Sequence, residues 1–254
     1  MRNTKYHTNL SKGCGLIEET LTLLSICDEK TTKESLADYV HNNNSLAKFT
    51  DKRNTDIVKL VFYPRYLKNN PSVALWLKKI RNKGLMLPQF KQLLMIYTFR
   101  ENALAYNYIT DNLNELRISG YERIPKDNIK NYIYNIIESN KLNWGEAIIK
   151  RHISYIKSLL CDFDLINKKG DLLPYEIADF TVMYLMHELH FEGLSDIAIW
   201  NHEDWQLFGL EKHQVRDKIL ELNFKGGYLA QCTADLMTIS WKYKSMEDLI
   251  NDKL

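Results

Sequence analysis

Apolar residues recur at intervals of three and four through most of the chain, a helical period rather than a strand-like one. Leu16, Leu21, Leu23, Leu24 and Cys27 predict a first helix over 16–27. Thr31 and Glu34 have the spacing of an N-terminal capping box, with Leu36, Tyr39 and Val40 facing inward behind it, and Asn42-Asn43-Asn44 ends that helix. A third helix is expected from about Thr55 to Tyr63, stopped by Pro64. Asn70-Pro71 reads as an N-cap followed by proline at the first helical position. The helix it opens puts Val73, Trp76, Leu77 and Ile80 on one face and closes at Gly84. Pro88 opens a longer helix to about Tyr108, followed by a short one from Asp111 to Ile118. The breakers between Ser119 and Pro125 mark the best domain boundary.

The middle of the chain has a more specific layout. Asp127 to Ser139 predicts a helix with Ile129, Ile133, Ile136 and Ile137 apolar, and a short link of 140–143 follows. Trp144 to Asp162 predicts a second helix, with Trp144, Ile148, Tyr155, Ile156, Leu159 and Phe163 three to four apart. Its other face carries Lys150, Ser154 and Lys157, with Arg151 beside them. Leu165-Ile166 then enters a turn at Asn167-Lys168-Lys169-Gly170-Asp171 and returns through Leu172-Leu173. Helix, link, helix and basic hairpin follow one another as in a winged helix-turn-helix, which docks its second helix in the DNA major groove. A plain helical hairpin is the alternative. The C-terminal third repeats a similar rhythm and adds a hairpin, with one strand after Gly226-Gly227 and the other over Leu236–Tyr243. Its helix from Glu211 to Asn223 mixes acids with Lys212, Arg216 and Lys218, which suits protein contact better than phosphate.

The fold class expected is therefore mainly α. It is a multi-helix bundle with winged helix-turn-helix-like unit(s) and small β-hairpins towards the C-terminus. The parts would be an N-terminal helical domain (1–123), a winged-helix-like unit (124–174) and a C-terminal helical and hairpin unit (175–254).

Composition narrows the class. Of 254 residues, 45% are hydrophobic and 26% charged, which excludes wholesale disorder, while 10 Gly and 5 Pro are too few for a turn-rich β architecture. The longest apolar run, Leu93 to Tyr97 extended by Thr98 and Phe99, falls far short of the roughly 20 residues of a membrane span. The first residues lack the apolar core of a signal peptide. Cys14, Cys27, Cys161 and Cys232 stand apart with no CxxC pair, so neither a zinc site nor a disulfide scaffold is expected, and a reducing cytoplasm fits.

The net charge of +2 conceals an uneven distribution. Residues 48–100 hold 12 Lys/Arg against Asp51 and Asp56, a net of +10, which leaves −8 for the rest. Residues 176–217 hold nine acids against Lys212 and Arg216. Such concentration can present a basic face to a polyanion, although a solvated helical surface produces the same pattern.

Catalytic signatures are missing. His187-Glu188-Leu189-His190 lacks the four-residue histidine spacing of zinc proteases, because position 191 is Phe. His202-Glu203-Asp204 are consecutive, so on a helix they point in different directions and converge poorly on a metal. No Walker A loop, GxGxxG or GxSxG is present, and Gly226-Gly227 reads as a turn. Tyr132 and Tyr134 could stack on bases, but their spacing fits core packing. No cofactor, metal or catalytic residue is expected.

Four stretches together resemble the BrxA family of BREX phage-resistance operons. They are Tyr6 with Asn9-Leu10-Ser11 and Gly13-Cys14-Gly15-Leu16; Trp144 leading into the basic helix and Leu159-Leu160…Leu165-Ile166; His202 to Leu210; and Ser240 to Met246. The last two are the most specific. The resemblance implies a mostly helical, cytoplasmic, DNA-binding component of a defence system that also contains a methyltransferase, an ATPase and a phosphatase-like protein. It brings no catalytic residues. The expectation is non-catalytic binding of double-stranded DNA by Lys150, Arg151 and Lys157 on the second helix, Lys168 and Lys169 on the wing, and Arg53, Lys78, Lys79, Arg81 and Lys83 on the N-terminal face. The rivals are a protein-interaction adaptor without DNA contact, and a nuclease or hydrolase built on Asp196, Glu203 and Asp204.

Overall fold

The computed structural model describes residues 2–46, 50–233 and 236–254; Lys48, at the start of the basic stretch, lies outside them. Local side-chain chemistry sets most element boundaries. α1 (Ile17–Ile26) buries Leu23 and Leu24. α2 (Lys33–Asn43) begins one residue later than the capping pattern predicts. Ser35 donates its backbone N–H to the Thr32 hydroxyl at 3.1 Å, and Thr32 returns its N–H to Ser35 Oγ at 2.9 Å. Thr31 is instead occupied in the preceding turn, where its hydroxyl accepts from the Asp28 N–H at 2.8 Å.

α3 (Asp51–Asp56) runs without a break through a π-helical segment, Ile57–Phe62, into α4 (Tyr63–Tyr66). Pro64 therefore does not stop this helix. The π turn bonds Tyr63 N–H to the Val58 carbonyl, five residues back. That wider turn relieves the crowding between a proline ring and the carbonyl four residues earlier.

α5 (Ser72–Asn82) starts as expected, with Ser72 donating its N–H to Asn70 Oδ1 at 3.1 Å. α6 (Leu87–Arg100) ends sooner than its apolar pattern predicts. Buried Asn102 accepts the Ala105 N–H at 3.0 Å and caps a new helix, α7 (Ala103–Asn107). A second π segment, Tyr108–Leu113, joins it to α8 (Asn114–Ile118), so the short helix expected over 111–118 is the end of a longer one.

α9 (Asn128–Ser139) and α10 (Glu146–Asp162) fall close to their predicted places and pack on each other. After them come α11 (Asp179–Phe191), α12 (Asp196–Trp200), a 3-10 turn at Glu203–Phe208, and α13 (Lys212–Glu221). The antiparallel pair β1 (Tyr228–Cys232) and β2 (Met237–Trp241) is the expected hairpin, in register from Tyr228 opposite Trp241 to Cys232 opposite Met237. α14 (Met246–Lys253) is capped by Ser245.

Backbone packing divides the chain into two compact units, Met1–Lys78 with Leu94–Tyr175, and Lys79–Leu93 with Glu176–Leu254. In the first, Phe62, Tyr66, Phe99, Tyr106, Tyr108 and Phe163 are fully buried. In the second, α11 is buried on every side from Phe180 to Leu189, as a central helix must be. The hairpin is pinned there by Asp196 Oδ2, which accepts the Ile239 N–H at 2.9 Å, and by Tyr228, whose hydroxyl donates to the Ile219 carbonyl at 3.0 Å. Gln92 ties the 79–93 segment to the same unit, donating to the Glu176 carbonyl and accepting from the Ala178 N–H.

Candidate nucleic-acid interface

α10 has two unlike faces. Ile149, His152, Ile156, Leu159 and Leu160 are buried, at the spacing of one helical stripe. Lys150, Arg151, Ser154 and Lys157 are exposed on the other side. His152 joins the core with the Trp144 ring against its own, tilted by 34° at a centroid distance of 4.9 Å, and its Nδ1 lies 2.8 Å from the Ile148 carbonyl. Burial pushes its pKa down, so the neutral ring is favoured.

The end of α10 is fixed by the N-terminal loop. Gly15 donates its N–H to Asp162 Oδ2 at 2.8 Å, and Arg65 donates to the carbonyls of Gly13 and Cys14 at 3.1 and 2.8 Å. A Cβ on Gly15 would fall 2.6 Å from Asp162 Cβ, so the close approach requires glycine. The first and second stretches singled out in the sequence thus meet here.

The turn after α10 is held by its own side chains. Asn167 Oδ1 accepts the N–H groups of Lys169 and Asp171 at 2.9 and 3.0 Å, and Asn167 Nδ2 donates to Asp171 Oδ2 at 2.7 Å. Gly170 takes the left-handed conformation at φ 89°, which closes the hairpin. Single bridges pair Ile166 with Leu172 and Arg123 with Asp171, so the segment before α9 lies beside the returning strand. Hydrogen bonds from Asn167 and then from Arg123 hold the Asp171 carboxyl below its ordinary pKa. That acid is thereby engaged, while Lys168 and Lys169 stand exposed.

Among the described residues, Lys150, Arg151, Lys157, Lys168 and Lys169 form no ion pair with an acid. α13 differs. There Lys212 lies over the Trp200 ring at 4.3 Å, Arg216 pairs with Asp217, and Lys218 pairs with Glu176 and Glu221. Two of its three cations are paired with acids, in keeping with its mixed sequence.

The other expected cations are not gathered into one site. Arg53 donates to the Lys12 carbonyl, and Lys78 donates to the Cys27 carbonyl at 2.8 Å, both in the first unit. Lys79, Arg81 and Lys83 belong to the second unit, where Arg81 donates to the Leu85 carbonyl at 3.1 Å. Two lysines were not singled out by the sequence. Lys126 and Lys130 line a cavity of about 240 Å3 at the start of α9, together with Lys157 and Lys169. Lys126 lies before the helix and Lys130 in its first turn, so no helical spacing links them to Lys157 and Lys169.

The His202–Asp204 run is built into the fold. His202 Nδ1 caps the 3-10 turn, Asp204 is buried, and Trp205 donates its indole N–H to the Ile199 carbonyl at 2.7 Å. Among the described residues no group of three or more His, Cys, Asp or Glu could hold a metal ion, and no helix is long and apolar enough to cross a membrane.

The first unit thus displays lysine and arginine that form no ion pair among the described residues on one helix and the adjoining turn, a display belonging to the class of helical proteins with a basic surface. A family model described as BrxA matches residues 4–188, and the chain belongs to the BrxA family. That membership makes it a candidate component of a BREX phage-defence system. Searches among curated proteins and among solved structures gave no match.

Proposed function

We propose that the protein binds double-stranded DNA without catalysis, as a component of a BREX system, through the exposed face of α10 and the 167–171 turn. One observation carries the reading. Lys150, Arg151 and Lys157 are exposed and form no ion pair among the described residues, on a helix whose opposite face is buried, and the lysine-bearing turn follows directly. The order of α8, the 122–124 segment, α9, α10 and the hairpin supports docking of α10 in the major groove with the turn on the flanking backbone. Contacts of this kind go mainly to phosphate, so they supply affinity and little base choice. The other BREX components are the expected protein partners.

The test is a titration of random duplex with the Lys150→Ala/Arg151→Ala/Lys157→Ala variant, after circular dichroism has shown it folded. Three lost phosphate contacts should weaken binding by about 10-fold to 1,000-fold at low salt. Unchanged affinity would refute the assignment. The adaptor reading draws on the second unit, where Phe224 is 78% exposed and Leu236 61% exposed beside the hairpin. Duplex binding that is absent even at low salt would favour it.

A further inference from the structure

The cavity at the start of α9 has two kinds of wall. Ile124, Pro125 and Ile153 are half-buried and Ile129 is buried, so they form an apolar floor. Lys126, Lys130, Lys157 and Lys169 are exposed and stand around it as a rim. None of these four forms an ion pair among the described residues. Asp127 is the one acid among the lining residues, and it is exposed. Gly170, with open space where a Cβ would be, adds no side chain to the mouth.

Four lysines gathered at one cavity, one of them with its Nζ 5.8 Å from the centroid of the Tyr134 ring, give it a positive field that favours an anion placed among them. A bare phosphate would use the rim and gain nothing from the floor. A ligand with a flat, weakly polar body and a phosphate uses both. The volume of about 240 Å3 is below the roughly 300–1,000 Å3 of a drug-sized pocket, which limits that body to a single base and sugar.

We propose that this cavity binds one nucleotide unit, its base or sugar on Ile124, Ile129 and Ile153 and its phosphate on the surrounding lysines. Two sources carry this chemistry, a free mononucleotide and the terminal nucleotide of a strand. The inference rests on the duplex-binding reading only in that Lys157 and Lys169 serve both.

The test titrates the full chain with dAMP, with inorganic phosphate, and with a 5′-phosphorylated single-stranded oligonucleotide. The expected result is affinity for dAMP or for the phosphorylated strand at least about tenfold above that for inorganic phosphate. It should fall about tenfold in Lys126→Ala/Lys130→Ala, whose lysines lie outside α10 and the turn. Saturation by dAMP identifies a free nucleotide as sufficient, whereas binding of the phosphorylated strand alone identifies the strand end. Lys150→Ala/Arg151→Ala, outside the cavity, should leave this binding intact while it weakens duplex binding. Loss of the duplex reading with dAMP binding retained therefore separates the two claims. Equal affinity for phosphate and nucleotide, no binding of any of the probes, or an unaffected Lys126→Ala/Lys130→Ala variant would overturn the inference.

Discussion

His187 sits in the middle of α11 with no exposed surface, and its ring contacts Trp241 edge-on at 4.9 Å and Tyr243 at 5.5 Å. Its Nδ1 lies 2.8 Å from the Met183 carbonyl, as a neutral ring donating one hydrogen bond would place it. Burial lowers its pKa from the ordinary 6.5 to about 4, with the nearby His190 and Lys253 adding repulsion. In this pH interval the unfolded chain binds a proton that the folded chain refuses. Stability is therefore fully present above the unfolded pKa and falls as the pH drops from about 6.5 towards about 4. A shift of this size corresponds to about 3 kcal/mol in full, of which about 2 kcal/mol is lost between pH 7 and pH 5. Urea unfolding of the whole chain at both pH values, followed by tryptophan fluorescence, reads the loss for the wild type. His187→Leu should be less stable at pH 7, from the lost ring contacts, yet show a pH-dependent loss smaller by about 2 kcal/mol. An identical pH dependence in the two proteins would refute the claim that a buried neutral histidine is at work.

Two further outcomes concern glycines. Gly15→Ala places a methyl group against Asp162 and should lower stability by about 1–3 kcal/mol, with loss of amide protection in the N-terminal loop measured by hydrogen exchange. Gly227→Ala combines φ 76° with a clash against the Tyr243 ring, so thermal unfolding should show a loss of similar size and the β1–β2 amides should exchange faster.

Much of the helical order was legible because its causes are local. The stripes of α9 and α10 and the Asn70-Pro71 start all depend on residues within a turn of each other. The errors arose where a neighbour decided. Thr31 and Thr32 are equally good caps in isolation, and the Asp28 turn claims the first. Pro64 reads as a stop unless the preceding turn widens to a π-helix, which no periodicity announces. Asn102 divides a helical pattern expected to run from Pro88 to about Tyr108. At the candidate site, the exposed cations of α10 could be read from helical phase alone. His152 could not be read as core, because its burial depends on Trp144 folding over it. Lys126 and Lys130 were missed because they join Lys157 and Lys169 only in three dimensions.

The salt dependence of binding to random duplex by the intact protein tests the central claim most directly. Five exposed cations, Lys150, Arg151, Lys157, Lys168 and Lys169, can each neutralise one phosphate. The logarithm of the affinity should then fall against the logarithm of salt concentration with a slope of about −4 to −5. The Lys150→Ala/Arg151→Ala/Lys157→Ala variant should flatten that slope by about 2 to 3. A slope near zero, or equal slopes for the two proteins, would contradict duplex binding by this face.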